Sequence, residues 1–112
     1  MCYFASSVHV AFAHIWRPER YTDEPTAMAG VKAKGHQTFA HHCSEIDGLL
    51  AGKEWLLGEF STVDSYAFVF YIWSRLINLP MQGLKNYTAH NGRMLKRPAV
   101  QRTLQQEGVT LT

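Results

Sequence analysis

Thiols are scarce in this chain of 112 residues. Cys2 and Cys43 stand 41 positions apart and form neither a disulfide framework nor a Cys-x-x-Cys pair, so a stapled secreted scaffold and a thiolate metal or redox motif are both unexpected. A reducing compartment fits, and the cytoplasm is the expected location. Long apolar runs are missing as well. The longest uncharged stretch in the middle runs from Ser65 to Ser74, about half of the roughly 20 apolar residues that a bilayer requires, so no membrane partner is expected. The opening Met1-Cys2-Tyr3-Phe4-Ala5 has no basic segment ahead of an apolar one and does not read as a signal peptide. Internal repeats, low-complexity tracts and Gly/Ser linkers are absent, and no stretch alternates with period two for long enough to make a strand.

Aromatic residues, by contrast, are plentiful: 3 Trp, 5 Tyr and 6 Phe in a chain that is 46% hydrophobic and carries a net charge of +2. Disordered chains lack such residues, and the length suits a single domain over 1–112. Pro18, Pro25, Pro80 and Pro98 cut that domain into helix-length pieces, because proline removes a backbone donor and clashes with the preceding turn.

The first piece, about Tyr3 to Arg17, puts Phe4, Val8, Ala11, Phe12 and Ile15 on one helical face. No capping side chain precedes Tyr3, which suggests a chain that starts inside a longer helix. A second helix is expected from about Pro25 to Ala51, with Met28, Val31, Gly35, Phe39, Cys43, Ile46 and Leu50 forming its apolar stripe. Gly35 costs up to about 1 kcal/mol of helix propensity there, a sacrifice that makes sense where another helix comes close. Ser61-Thr62-Val63-Asp64 has the form of a capping box. It opens a central helix, from Thr62 to Leu79, that is apolar or aromatic on every side between Asp64 and Arg75 and is therefore expected to be enclosed by protein. Met81 to Lys96 and Pro98 to Glu107 read as shorter amphipathic helices. The fold class is all-α, a bundle of about five helices.

Chemistry is sparse in this pattern. Two metal ligands on one helix need a spacing of three or four, yet His9 and His14 are five apart, His36 and His41 are five apart, and His41 and His42 are adjacent. No protein-made metal site is expected. From Met81 to Gln106 the charged residues are all basic: Lys85, Arg93, Lys96, Arg97 and Arg102. Cations spread over two short helices more often make a solvated face than a phosphate-binding one, so nucleic acid is an unfavoured partner. No Gly-x-Ser-x-Gly elbow or Gly-rich phosphate loop occurs, and Cys43 lies on an apolar stripe where thiols are inert. No catalytic residue is assigned within the chain.

Trp55-Leu56-Leu57-Gly58-Glu59-Phe60-Ser61-Thr62-Val63-Asp64-Ser65-Tyr66, then Arg97-Pro98-Ala99-Val100-Gln101 and Glu107-Gly108, together resemble the C-terminal helical domain of glutathione S-transferases, most similarly the bacterial beta class. Tyr3-Phe4-Ala5-Ser6-Ser7-Val8-His9 resembles that domain's opening helix. The resemblance implies a two-domain enzyme in which a thioredoxin-like N-terminal domain, absent from this chain, holds most of the glutathione site. No cofactor is implied beyond glutathione as co-substrate. His9 and Trp73 are implied to line the side of the cleft that meets a hydrophobic electrophile; Phe12, one helical turn after His9, is expected to supply an apolar wall beside it, while Ser61 and Asp64 serve the fold as the capping box. Val10 and Ser7 stand where the family carries a lysine and a glutamate, so the contact expected from His9 is a modest polar one. Packing alone is the competing reading of His9 and Trp73. A non-catalytic interaction or dimerisation module of the same fold is the competing reading of the whole chain, and a homodimer is an option that the resemblance leaves open.

Overall fold

Proline and capping chemistry set the helix ends. In this computed structural model, residues 2–108 are described; Met1 and residues 109–112 lie outside the described part. Helical backbone is present from Cys2. A π-helical turn, Phe4–Val8, runs straight into α1, His9–Trp16, and the His9 amide donates back to the Phe4 carbonyl. Pro18 ends this segment and opens a short 3-10 turn, Pro18–Arg20. Pro25 then occupies the first turn of α2, Pro25–Leu49, where its missing N–H costs nothing. After a loop come α3, Thr62–Leu76, α4, Lys85–Leu95, and α5, Pro98–Gln106. Five α-helices and no strand make up the described residues.

The expected apolar faces supply the core. Phe4, Val8, Phe12 and Ile15 meet Phe39, Cys43 and Ile46 of α2, and Ala67, Phe70 and Tyr71 of α3 close the layer. α3 is less enclosed than its composition predicts. Val69, Ile72 and Trp73 are half-buried, and Leu76 is exposed. The helix also stops three residues early, because the chain turns through Asn78 at a positive φ of 56°. That left-handed region suits asparagine better than other non-glycine residues. Likewise, α4 starts at Lys85 instead of Met81, since residues 81–84 form a turn closed by the Leu84 amide on the Met81 carbonyl. Leu84 offers no cap to α4; instead Asp47 near the end of α2 accepts the Tyr87 amide at 2.8 Å. The first helix is tied to α2 in a comparable way, with the Tyr3 hydroxyl donating to Glu45 Oε2 at 2.6 Å and lying 2.7 Å from His42 Nδ1.

Gly35 is where α1 and α2 come together. A Cβ at this position would lie 2.8 Å from His14 Cβ, 3.1 Å from the Ala11 carbonyl oxygen and 3.1 Å from Ile15 Cγ1. None of these atoms is the far end of a flexible side chain, so the helices would have to separate. Gly35→Ala therefore gains about 1 kcal/mol of helix propensity but incurs an overpacking cost of about 1 to 3 kcal/mol. A lower thermal midpoint is the expected outcome of a melting experiment. A raised midpoint would show that the two helices part without cost.

Candidate functional site

Two constellations stand out, one structural and one open to solvent. The structural one is built on Asp64, which is fully buried. Its Oδ2 accepts the Ser61 amide at 3.0 Å, the carboxylate arm of the capping box. The hydroxyl arm is looser: Ser61 Oγ stands by the Asp64 amide, but that amide donates to the Ser61 carbonyl at 3.0 Å, leaving Oγ without a hydrogen bond of good geometry. Asp64 Oδ1 takes two more donors, the Leu56 amide at 3.0 Å and His90 Nε2 at 3.0 Å. The carboxylate thus joins the loop before α3, the start of α3 and the middle of α4. Burial pushes the His90 ring below its ordinary pKa of 6.5 against the pull of Asp64. A neutral ring with its hydrogen on Nε2 fits that shift, and it leaves Nδ1 as the bare, unpartnered nitrogen.

Around Asp64 sit the residues of the Trp-Leu-x-Gly and Arg-Pro motifs. Gly58 has a φ of +90°, which L side chains rarely adopt, and so turns the loop back on itself. Trp55 packs edge-on to Phe60 at 5.2 Å and to His90 at 5.7 Å. Arg97 lies over the Phe60 ring at 3.5 Å, and Arg93 donates to the Glu54 carbonyl at 2.8 Å. Two of the five cations from Met81 to Gln106 are therefore spent on closing this loop, which leaves less of a basic face for phosphates.

The open constellation brings His9, Phe12 and Trp73 into one cleft of about 340 Å³, together with Ala13, Trp16, Arg17, Arg20 and Leu76. Phe12 stacks on Trp73 with centroids 4.6 Å apart and planes within 23°, and on Trp16 at 5.9 Å and 16°. His9 stands edge-on to Trp73 at 5.2 Å. Its Nδ1 is held at 2.7 Å by the Tyr66 hydroxyl, and Nε2 has no hydrogen-bond partner among the described residues. When Tyr66 donates to Nδ1, Nε2 carries the hydrogen and the ring has one donor to offer. Tyr66, Trp16, Arg17 and Arg20 were not legible as site residues. Tyr66 reaches His9 across 57 positions, and the arginines follow the end of α1, where helical periodicity stops being a guide.

Of the remaining histidines, His14 stacks on Tyr21 at 3.9 Å, and His41 meets Glu45 at 2.8 Å. Among the described residues, no three His, Cys, Asp or Glu side chains gather to hold a metal ion. No described helix is long and apolar enough to cross a membrane. Burial pushes the Cys43 thiol up to about 12, far from a reactive thiolate.

Solved structures match this architecture closely. A glutathione S-transferase from Xylella fastidiosa superposes with a TM-score of 0.87 at 25% identity, over 97% of this chain and 53% of that one. The beta-class glutathione S-transferase of Sphingomonas chungbukensis gives 0.83 at 27% identity, over 97% and 51%. A glutathione transferase homologue from Sulfitobacter, with bound glutathione, gives 0.85 at 25%, over 96% and 52%. The fold is that of the C-terminal helical domain of bacterial glutathione S-transferases. The chain spans about half the length of the transferases it matches. Neither a family model nor a curated protein matches its sequence. Within this transferase-type domain, Asp64 belongs to the scaffold, while His9, Phe12 and Trp73 face a common space.

Two outcomes follow from the Asp64 cluster. Asp64→Asn puts an amide that carries its own N–H donors among three N–H donors, so a loss of about 2 to 4 kcal/mol is expected. The thermal midpoint should fall by at least about 8 °C, given about 4 to 8 °C per kcal/mol for a domain of this size. A shift of a degree or two would mean that the cluster is dispensable. The second outcome concerns pH. His90 has a lowered folded pKa, so below about 6.5 the unfolded chain takes up a proton that the folded chain refuses. The His90 contribution is therefore full above that pH and declines as pH falls, by up to about 1.4 kcal/mol per pH unit. Urea midpoints at pH 7.5, 6.5 and 5.5 should fall more steeply for the wild type than for His90→Gln, and parallel curves would contradict the assignment.

Proposed function

We propose that this domain supplies the electrophile side of a glutathione-conjugating cleft, and that a thioredoxin-like domain supplies the glutathione site and activates the thiol. The observation that carries this reading is the convergence of His9, Phe12 and Trp73 on one open aromatic cleft, in a fold shared with transferases of which at least one holds glutathione. Aromatic walls favour an apolar electrophile by removing its surface from water. A thiolate or anion at the edge of that wall would meet the Nε2 hydrogen that His9 carries when Tyr66 donates to Nδ1. Val10 carries no charge beside it, so the contact amounts to one hydrogen bond, worth about 1 to 1.5 kcal/mol.

Cys43 is buried with its thiol pushed up to about 12, so it does not replace the glutathione sulfur. Turnover by the isolated 112-residue chain should accordingly stay at the uncatalysed rate. Activity above that rate in a purified sample would show that the chemistry lies in this domain. In the two-domain protein, His9→Phe retains an edge-on ring against Trp73 and removes the donor. Its kcat/KM with glutathione should drop about tenfold, with the thermal midpoint unchanged. A variant with wild-type kinetics would make His9 a packing residue.

A further inference from the structure

The cleft has a chemical asymmetry that a general apolar pocket does not need. One wall is flat and aromatic. Trp16, Phe12 and Trp73 form a near-parallel ladder, and Trp16 at its outer end is 59% exposed, a large apolar face left in water. The other wall is cationic, with Arg17 and Arg20 lining the cleft and no carboxylate among its lining residues. The nearest acid, Glu19, pairs with Arg17 at 3.5 Å, with both side chains about half-exposed, a geometry that holds an arginine only weakly. Arg20 has no ion pair among the described residues; its neighbour in the 3-10 turn is Arg17, whose carbonyl accepts the Arg20 amide at 3.1 Å. Pro18 fixes that turn directly after the aromatic helix, and both arginines that follow the helix line the same cleft as the ladder.

We propose that this cleft takes planar aromatic ligands bearing an anionic group, with the ring against Trp16, Phe12 and Trp73 and the anion on Arg17 and Arg20. This rests on the reading of the cleft as the electrophile side. A guanidinium fork matches a carboxylate or sulfonate in shape as well as charge, and it is stronger beside an apolar wall, which keeps water away from the pair. About 340 Å³ suits one or two fused rings and not a large hydrophobe. His9 is already engaged by Tyr66 through Nδ1 and has at most one donor left, so selection by charge falls to the arginines.

The test uses 2-naphthoate and 2-naphthamide, which share shape and differ in charge. Each is titrated into the 112-residue chain without glutathione, following the indole N–H signals of Trp16, Trp73 and Trp55 by NMR. The expected result is binding of naphthoate about tenfold tighter than naphthamide at low salt, with shifts at Trp16 and Trp73 and none at Trp55, and a preference that shrinks as salt is raised. Arg17→Gln with Arg20→Gln should bring the two ligands to equal affinity by weakening naphthoate alone, and Arg20→Glu, which offsets the Arg17 charge, should abolish the preference as well. Equal affinities in the wild type, shifts centred on Trp55, or a preference that survives the double substitution would overturn the proposal. Arginine substitutions that weaken glutathione in the two-domain protein but leave naphthoate binding intact would overturn it too. If the naphthoate preference holds while the two-domain protein fails to conjugate glutathione, the transferase reading falls and this one stands.

Discussion

A buried carboxylate is expensive unless both of its oxygens find donors, and Asp64 meets that demand by drawing three separate stretches of chain to one point. Its two oxygens collect the amides of Ser61 and Leu56 and the ring nitrogen of His90. The first amide starts α3, the second pins the loop that precedes it, and the ring belongs to α4. Removing the carboxylate would leave these donors buried with no water to turn to, a larger penalty than the loss of an ordinary surface cap. The direction and depth of α3 are set at its first turn, and everything further along the helix inherits them.

The cleft is the main beneficiary. Phe70 lies one turn before Ser74 on the buried face of α3, while Trp73 is rotated toward the edge where Phe12 and His9 wait on α1. The other half of the geometry comes from the approach of α1 to α2 at Gly35, which allows Phe12 to touch Phe39 at 5.3 Å on one side and Trp73 on the other. The π-helical turn at Phe4–Val8 lets Phe4 and Val8 both point into the core just before His9 emerges beside Tyr66. A site wall made of side chains from two rigid helices holds its shape better than one made of loops.

Much of this was legible in the sequence. Three- and four-residue spacing located the buried faces of the first two helices, Gly35 announced a close helix contact, and the Ser61 to Asp64 pattern marked where α3 begins. What spacing within one element cannot reveal is a partner on another. His90 is 26 positions from Asp64 and looked like one more histidine on an amphipathic helix. Arg93 and Arg97 read as a solvated basic face, yet they close over Trp55 and Phe60. Uniform greasiness between Asp64 and Arg75 suggested full enclosure, whereas the Trp73 edge of α3 stays open to form the cleft. His9 and Trp73 were named through resemblance and Phe12 through its spacing from His9, and only the three-dimensional arrangement puts them around one space.

The claim that Asp64 organises the domain is tested most directly by hydrogen exchange at the two amides it holds. Leu56 and Ser61 lie at the edges of a loop, where amides ordinarily exchange through small local openings. If Asp64 anchors the loop, α3 and α4 as one unit, both amides should exchange only by global unfolding, with the same protection as Phe70 at the centre of α3. Fast exchange at Leu56 and Ser61 alongside a well-protected Phe70 would contradict the account.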